Sequence, residues 1–580
     1  MRNILTLLFL SLSFIAHSQI NISWPIDRAV FQRDNNGLAT VWFAGQRTSS
    51  WASGYSLQYK IVKMDKLGTE TTNLVNWTNI TLYTGKTFRF SRSTPNGWYK
   101  FYVRTMDGST QLDITSVKFG VGEVFVIAGQ SNALGEGVVS YGPITHYDCV
   151  VASNQTNSNK CSLTMPVFPV LGVVSGGNQI GPNAYQGWAY ELLGNKIVDN
   201  TPAPTGSAVP VMFFNTAMSG SSVDQWNSSI NNTSGYYDID PYGVDRCTMG
   251  NNGQGEPYRT LRNSLNYYSS LFGIRAVIWH QGEADNHINM NSSDYATKLG
   301  NLVSATRLNY NTNLKWAISS ASWDGSTTDI NITNGQSSAR TNTSSVLGAA
   351  SDSYTSATDR QYPGYTGDGY SVHFNYSGLQ KVSDQYLSTY TSLLSTAPVV
   401  SADLPSLTIT STSITAQSGY SCYQWVQNNA TYTNNTYPNG CTASNATLNV
   451  NSGNNGTWRC YMKEGNGNVR VSQAVTISSG TFPGGLRVGL EQDLTVYPNP
   501  TSYEFSNNME FTLERDAHVK LEIVDENGFS LKGIANNYHT AGTYKYPFSP
   551  AGFAKYSENN IVYTKLTIDG VSTTKRIVLP

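Results

Sequence analysis

The hydropathy pattern changes its period at Gly122, and this limits the possible folds more than any other feature of the chain. Upstream, residues 19–120 carry short alternating runs rich in aromatic and β-branched residues, at 38–43, 56–62, 87–91 and 98–104. Asn35-Asn36-Gly37 and Pro95-Asn96-Gly97 separate them as turns, which predicts a β-sandwich. Downstream, 124–128 is an unbroken apolar strand, as a sheet covered on both faces requires. Strand-like segments at 209–215, 275–279, 315–319 and 346–350 then alternate with helix-like ones at 184–198, 258–272 and 376–394. The last carries Leu379, Val382, Tyr386, Leu387, Tyr390 and Leu394 on one helical stripe. This alternation predicts an α/β domain with a parallel sheet over 121–396. Short strands return over 399–479, where Trp425 between cysteine-bearing strands suggests an immunoglobulin-like sandwich. A Gly/Pro-rich linker at 480–485 leads to a final β-rich segment, 487–580.

Composition fits an exported multidomain protein. The chain has 580 residues and a net charge of −1, with only 13% charged residues. That balance offers no basic footprint for nucleic acid and no polybasic patch for anionic lipid. Arg2 followed by the apolar stretch 4–15 and Ala16-His17-Ser18 reads as a signal peptide, residues 1–18, cleaved before Gln19. No later stretch is long and apolar enough for a transmembrane helix, so the expected location is secreted or cell surface. In an oxidising compartment the six cysteines predict disulfides, and the closeness of Cys149 and Cys161 favours that pair. No cysteine or histidine pair has ligand spacing, so neither a metal nor another cofactor is expected.

Ser131 is the sharpest candidate for chemistry. It follows the apolar strand on a turn containing Gly129, at the carboxyl edge where open α/β sheets hold ligands. A helix N-cap serine would occupy the same place. A nucleophilic serine needs a base, and His373, just before the last helix of the domain, offers one. The Gly220 amide and the Gln281 side chain follow two further strands and can donate to an oxyanion alongside the Ser131 amide. Gln130, Asn132 and Glu283 flank these groups as candidate substrate contacts, and Tyr185, Trp188, Trp226 and Trp323 are candidate stacking surfaces for sugar rings.

The segment from Gly122 through Gly129-Gln130-Ser131-Asn132, with Trp279-His280-Gln281-Gly282-Glu283-Ala284-Asp285, resembles the sialate O-acetylesterase branch of the SGNH (GDSL-like) hydrolases. The resemblance spans about 122–395. It implies a flavodoxin-like α/β/α fold and a metal-free serine esterase that removes O-acetyl groups from carbohydrate. It also implies Ser131 as nucleophile, His373 as base, and Ser131, Gly220 and Gln281 around the oxyanion. The family's aspartate stands three residues before the histidine, where this chain has Tyr370. Asp368, Asp352 or a carbonyl-assisted dyad are the alternatives, with Asp368 preferred. Val496-Tyr497-Pro498-Asn499-Pro500 and the closing Lys575-Arg576-Ile577-Val578-Leu579 resemble a type A sorting domain of type IX secretion, which implies that export machinery as a partner. A catalytically impaired surface adhesin or glycan-binding protein is the second function class.

Overall fold

The computed structural model describes residues 20–48, 55–136, 144–154, 169–175, 179–184, 186–231, 255–360, 371–427, 445–478, 482, 494–503, 506–513, 516–525, 528–540, 542–553, 555, 560–568 and 571–580. The expected signal peptide, Asp368, Tyr370, Tyr185, Cys161, Cys247 and Cys441 lie outside them.

The first unit is built from two β layers. Ile20–Trp24, Leu38–Arg47 and Thr87–Pro95 form one antiparallel sheet. The second runs through Glu70–Ile80, Tyr55–Met64, Gly97–Asp107 and Thr110–Gly129, with Ala29–Gln32 parallel to the last. The Phe43 ring closes the space between the layers, 4.5 Å from the Phe101 ring and 5.3 Å from that of Phe119.

Thr110–Gly129 does not stop at the edge of the sandwich. Its first half pairs with Gly97–Asp107, while residues 123–129 pair in parallel with Val211–Asn215 on one side and Ala276–His280 on the other. One strand therefore belongs to both units. At the crossover Glu123 is fully buried. Arg33 Nε and Arg275 Nε each lie 2.7 Å from its carboxylate, and Gln32 and Tyr390 also donate to it. Burial alone would raise this carboxyl, but the two guanidiniums and Gln32 bring it below its ordinary value.

The central sheet holds the parallel strands Val150–Ser153, Val211–Asn215, Thr110–Gly129, Ala276–His280, Trp316–Ser320 and Val346–Ala350, in that spatial order. Leu171–Val173 adds an antiparallel edge. Successive residues of a strand point to opposite faces. Trp279 meets Trp226 of helix Val223–Ser228 and Tyr295 of helix Ser292–Asn309. Its neighbour His280 meets Trp188 of helix Trp188–Asn200 and Tyr386 of helix Tyr376–Leu393. Helices thus cover both faces, and the strand cores Val124–Ala128 and Val211–Phe214 are apolar because neither face sees water.

The hydrophobic core of the first sandwich is continuous with that of the central sheet and reaches Val426, Tyr461, Val469 and Val471 of the third unit. That third unit has sheets of three and four strands. Cys422–Gln427 and Gly456–Lys463 pair so that Trp425 lies opposite Cys460. Trp425 and Cys460 share a face, and Cys422, three residues from Trp425, points to the other. The two cysteines therefore do not bracket an inward tryptophan in the expected way. Cys460 is a free buried thiol, and Cys422 is disulfide-bonded. Cys149 is also free and buried, so the favoured Cys149–Cys161 pair is not made. Its thiol sits in the core beside Val150, and burial pushes it up to about 12. The last unit, from Thr495–Tyr497 to Val571–Val578, closes three- and four-stranded antiparallel sheets around a core of its own. No described helix is long and apolar enough to cross a membrane.

Candidate active site

The carboxyl ends of three adjacent strands supply three turns, stitched together by the backbone. Met218 N–H donates to the Gly129 carbonyl at 2.9 Å, and Gln130 N–H to the His280 carbonyl at 3.1 Å. Gly129 sits at φ +136°, and a Cβ there would lie 2.0 Å from the His280 carbonyl oxygen, so only glycine allows this approach. The turn delivers Ser131 as the first residue of a short helix, Ser131–Leu134, with Gln130 in the N-cap position. Ser131 is 5% exposed, and its Oγ makes no hydrogen bond among the described residues. Gly220 lies in the second turn at φ +69°, and its N–H likewise has no partner among them.

Asn132 joins the serine turn to the histidine loop. Its Nδ2 donates to Glu283 Oε1 at 2.8 Å and to the Val372 carbonyl at 3.1 Å. The residue after Ser131 is thereby tied to the residue before His373. The histidine loop has further anchors. His373 N–H donates to Ser371 Oγ at 3.0 Å, and Asn375 caps the following helix by accepting from Gly378 N–H at 3.1 Å. Arg360 donates to the carbonyls of Tyr354 and Val372, and its guanidinium lies 3.6 Å from the centre of the Phe374 ring. Sequence reasoning missed Arg360, which has no motif. The signal is tertiary: a buried arginine, lowered to about 10 by desolvation, which donates to the carbonyl just before the base and lies against the ring just after it.

Glu283 is 1% exposed, and burial raises its carboxyl above the ordinary value despite the Asn132 hydrogen bond. Glu283 Oε2 and Asn132 Oδ1 are buried and have no hydrogen-bond partner among the described residues. Burial holds the His280 imidazole neutral, lowered to about 3. It bonds Tyr386 OH at 2.9 Å and Ser351 Oγ at 3.2 Å, which makes it a core histidine under the site.

Other candidates have different work. The Gln281 amide donates to Ser221 O at 3.0 Å, to Gln130 Oε1 at 3.2 Å and to Asp285 Oδ2, while its oxygen accepts from Tyr295 OH. That nitrogen is committed to protein acceptors, which differs from the expected oxyanion contact. Gln130 Oε1 also accepts from the Gly282 and Ala284 amides, which holds the third turn to the first. Asp352, the alternative acid, accepts from Ser322 N–H, Ser322 Oγ and Trp323 N–H, closing a neighbouring loop. Trp188 and Trp226 are fully buried in the helix layers and offer no face to a sugar. Among the described residues no group of three or more metal-ligating side chains occurs.

Residues 190–391 match the family model described as carbohydrate esterase, sialic acid-specific acetylesterase. The matched part is roughly a third of the chain. It contains Gly220, Gln281, Glu283 and His373, and it begins downstream of Ser131. Over that segment the chain is similar to a family of carbohydrate esterases. No curated protein matches. Among solved structures, a carbohydrate acetylesterase from Xanthomonas citri is 13% identical, over 70% of this chain and 84% of that one, with a TM-score of 0.32. A salicylyl-acyltransferase from a tetracycline biosynthetic pathway is 10% identical, over 61% and 79%, with a TM-score of 0.25. A β-galactosidase from Bacteroides fragilis is 11% identical, over 96% and 72%, with a TM-score of 0.21. At these scores none of the three establishes a shared overall fold.

Proposed function

We propose that the chain is a serine esterase of the SGNH type, with a flavodoxin-like catalytic domain, that removes O-acetyl groups from carbohydrate. The observation that carries this reading is the Asn132 bridge, which holds the Ser131 turn against the carbonyl preceding His373. In this mechanism Ser131 Oγ attacks the acetyl carbonyl carbon while His373 takes its proton. The Ser131 and Gly220 amides receive the developing oxyanion. Collapse breaks the ester bond, and the sugar hydroxyl leaves with the proton from His373. Water, deprotonated by the same imidazole, then releases acetate from Ser131. Asp368 holds the imidazole tautomer. No cofactor enters the cycle.

Ser131→Ala should lower hydrolysis of p-nitrophenyl acetate and of an acetylated oligosaccharide by several orders of magnitude, with an unchanged circular dichroism spectrum. Near-wild-type turnover by the variant removes the assignment. A wild-type chain with no esterase activity, yet with affinity for glycans, supports the adhesin class instead.

The export reading belongs to the same proposal. A leader at 1–18 and a sorting domain at 487–580 would send the enzyme to the cell surface or the medium through type IX secretion. The separate hydrophobic core of the last unit is consistent with a removable address domain. A chain truncated after residue 486 should keep its esterase activity and accumulate in the cell envelope of a host with that export system. Normal appearance in the medium would refute the sorting role.

A further inference from the structure

The chain leaving the Ser131 helix returns an acidic side chain to the edge of the site. Gly135, left-handed at φ +92°, ends the helix, and the Gly135 and Glu136 amides both donate to the Ser131 carbonyl at 3.0 Å. A left-handed glycine after the last helical residue turns the chain back on itself. Glu136 then meets the second turn, where Ser219 Oγ donates to its Oε2. Ser219 is buried and immediately precedes Gly220, the proposed oxyanion donor. One carboxylate therefore joins the end of the nucleophile's helix to the oxyanion turn.

The two oxygens of this carboxylate differ. Ser219 holds Oε2, while Oε1 has no hydrogen-bond partner among the described residues. Glu136 is half-buried, and Oε1 keeps contact with solvent. The other carboxyls at this end of the sheet are enclosed: Glu283 and Asp285 are buried, and Asp352 is held by three donors. Arg360, the cation of the histidine loop, is buried with its donors on the Tyr354, Val372 and Ser351 carbonyls, so it gives an incoming anion no counter-charge. An open carboxylate beside the oxyanion turn opposes a second negative charge and leaves a neutral group unaffected.

We propose that Glu136 is a specificity-determining residue that restricts the esterase to uncharged acetylated sugars by repelling a sugar carboxylate. The proposal rests on Ser131 as nucleophile and deepens that reading by naming the class of sugar. The acetyl ester itself is neutral, so the discrimination falls on the sugar that carries it. Specificity of this kind comes from a repulsive element set against the wrong ligand.

The test compares two substrates that differ in charge alone, O-acetylated galacturonic acid and its carboxyl methyl ester, with acetate release measured for each. p-Nitrophenyl acetate is the reference without a sugar. At low salt the wild-type chain should favour the methyl ester by about tenfold in kcat/KM, and the ratio should shrink as ionic strength rises to about 0.5 M. Glu136→Gln keeps an acceptor for Ser219 Oγ and removes the charge, so the ratio should fall to about two or less. Glu136→Ala should lower the ratio equally and reduce p-nitrophenyl acetate turnover further than Glu136→Gln, because the oxyanion turn loses its clamp. Any effect of Glu136 on the chemical step is common to both sugars and cancels in the ratio. A wild-type ratio near one overturns the proposal, as does a preference that survives Glu136→Gln. Turnover of p-nitrophenyl acetate without charge discrimination overturns this proposal alone, whereas no turnover of any substrate overturns the Ser131 reading and this one with it.

Discussion

Two sets of polar side chains meet at the carboxyl edge of the central sheet, and they differ in how fully they are satisfied. The first is closed. Gln130, Gln281, Asp285, Tyr295 and Gln336 bond one another and the surrounding backbone, so that each turn is fastened to its neighbour. The second is open. Among the described residues Ser131 Oγ and the Gly220 amide have no partner, and Asn132 and Glu283 each keep a buried oxygen unpaired. Closed networks specify a geometry, whereas open valences await a ligand or a reacting group. The motif Trp279-His280-Gln281-Gly282-Glu283-Ala284-Asp285 contributes to both sets, which is why sequence pattern alone did not separate the roles of Gln281 and Glu283.

The triad acid gives the largest test of that contrast. Asp352 belongs with the closed groups, since three donors from Ser322 and Trp323 already occupy its carboxylate. Asp368 and the carbonyl-assisted dyad are the alternatives that remain from the sequence, with Asp368 preferred. Asp368→Asn should lower the rate by up to about 10⁴-fold, as loss of the aspartate does in a serine-protease triad. Asp352→Asn should cost far less activity and appear mainly as reduced stability. The reverse order in the kinetics would move the catalytic acid to Asp352 and break the division between closed and open groups.

The parts of the fold that were legible in the sequence have strong periodicity. The buried strand at 124–128 and the stripe on Tyr376–Leu393 announce themselves through large apolar residues. The helix Ile330–Thr343 does not, because beside Ile332 its buried residues are Gly335, Gln336, Ala339 and Thr343, whereas Ser292–Asn309 buries Tyr295, Leu299, Leu302 and Val303, a stripe the sequence reading passed over. At their contact a Cβ on Gly335 would come within 2.9 Å of the Tyr295 Cβ, so the close approach uses a residue that carries no hydropathy signal. A domain boundary near 121 was read from a change of pattern, yet the backbone crosses it as one strand with Glu123 buried at the junction. The Ser131 turn was legible because strand-Gly-x-Ser is local. Arg360 was not, because its role depends on backbone carbonyls that only the tertiary fold brings to it.

The smallest expected effect concerns stability rather than rate, and it asks whether the closed network depends on protonation. Asp285 accepts from Val223 N–H at 3.0 Å and from the Gln281 amide, and burial raises its carboxyl from 3.8 to about 7. Between those values the folded chain holds a proton that the unfolded chain releases. The associated stability is present below about pH 4 and is lost as pH rises through about 7. His280 acts with the opposite sign: burial lowers it from 6.5 to about 3, so its contribution is present above about pH 6.5 and is lost on acidification. Asp285→Asn removes only the first dependence. The variant lacks a proton to lose, so its stability relative to wild type should be more favourable at about pH 8 than at about pH 5. The expected difference is about 2–3 kcal/mol by denaturant titration, at 1.36 kcal/mol per pKa unit. Any fixed cost of placing an amide beside the Gln281 amide cancels in this difference, as does the unchanged His280 term. A relative stability that does not vary with pH would mean that Asp285 is ionised in the folded chain, and the closed set would then be a charged network.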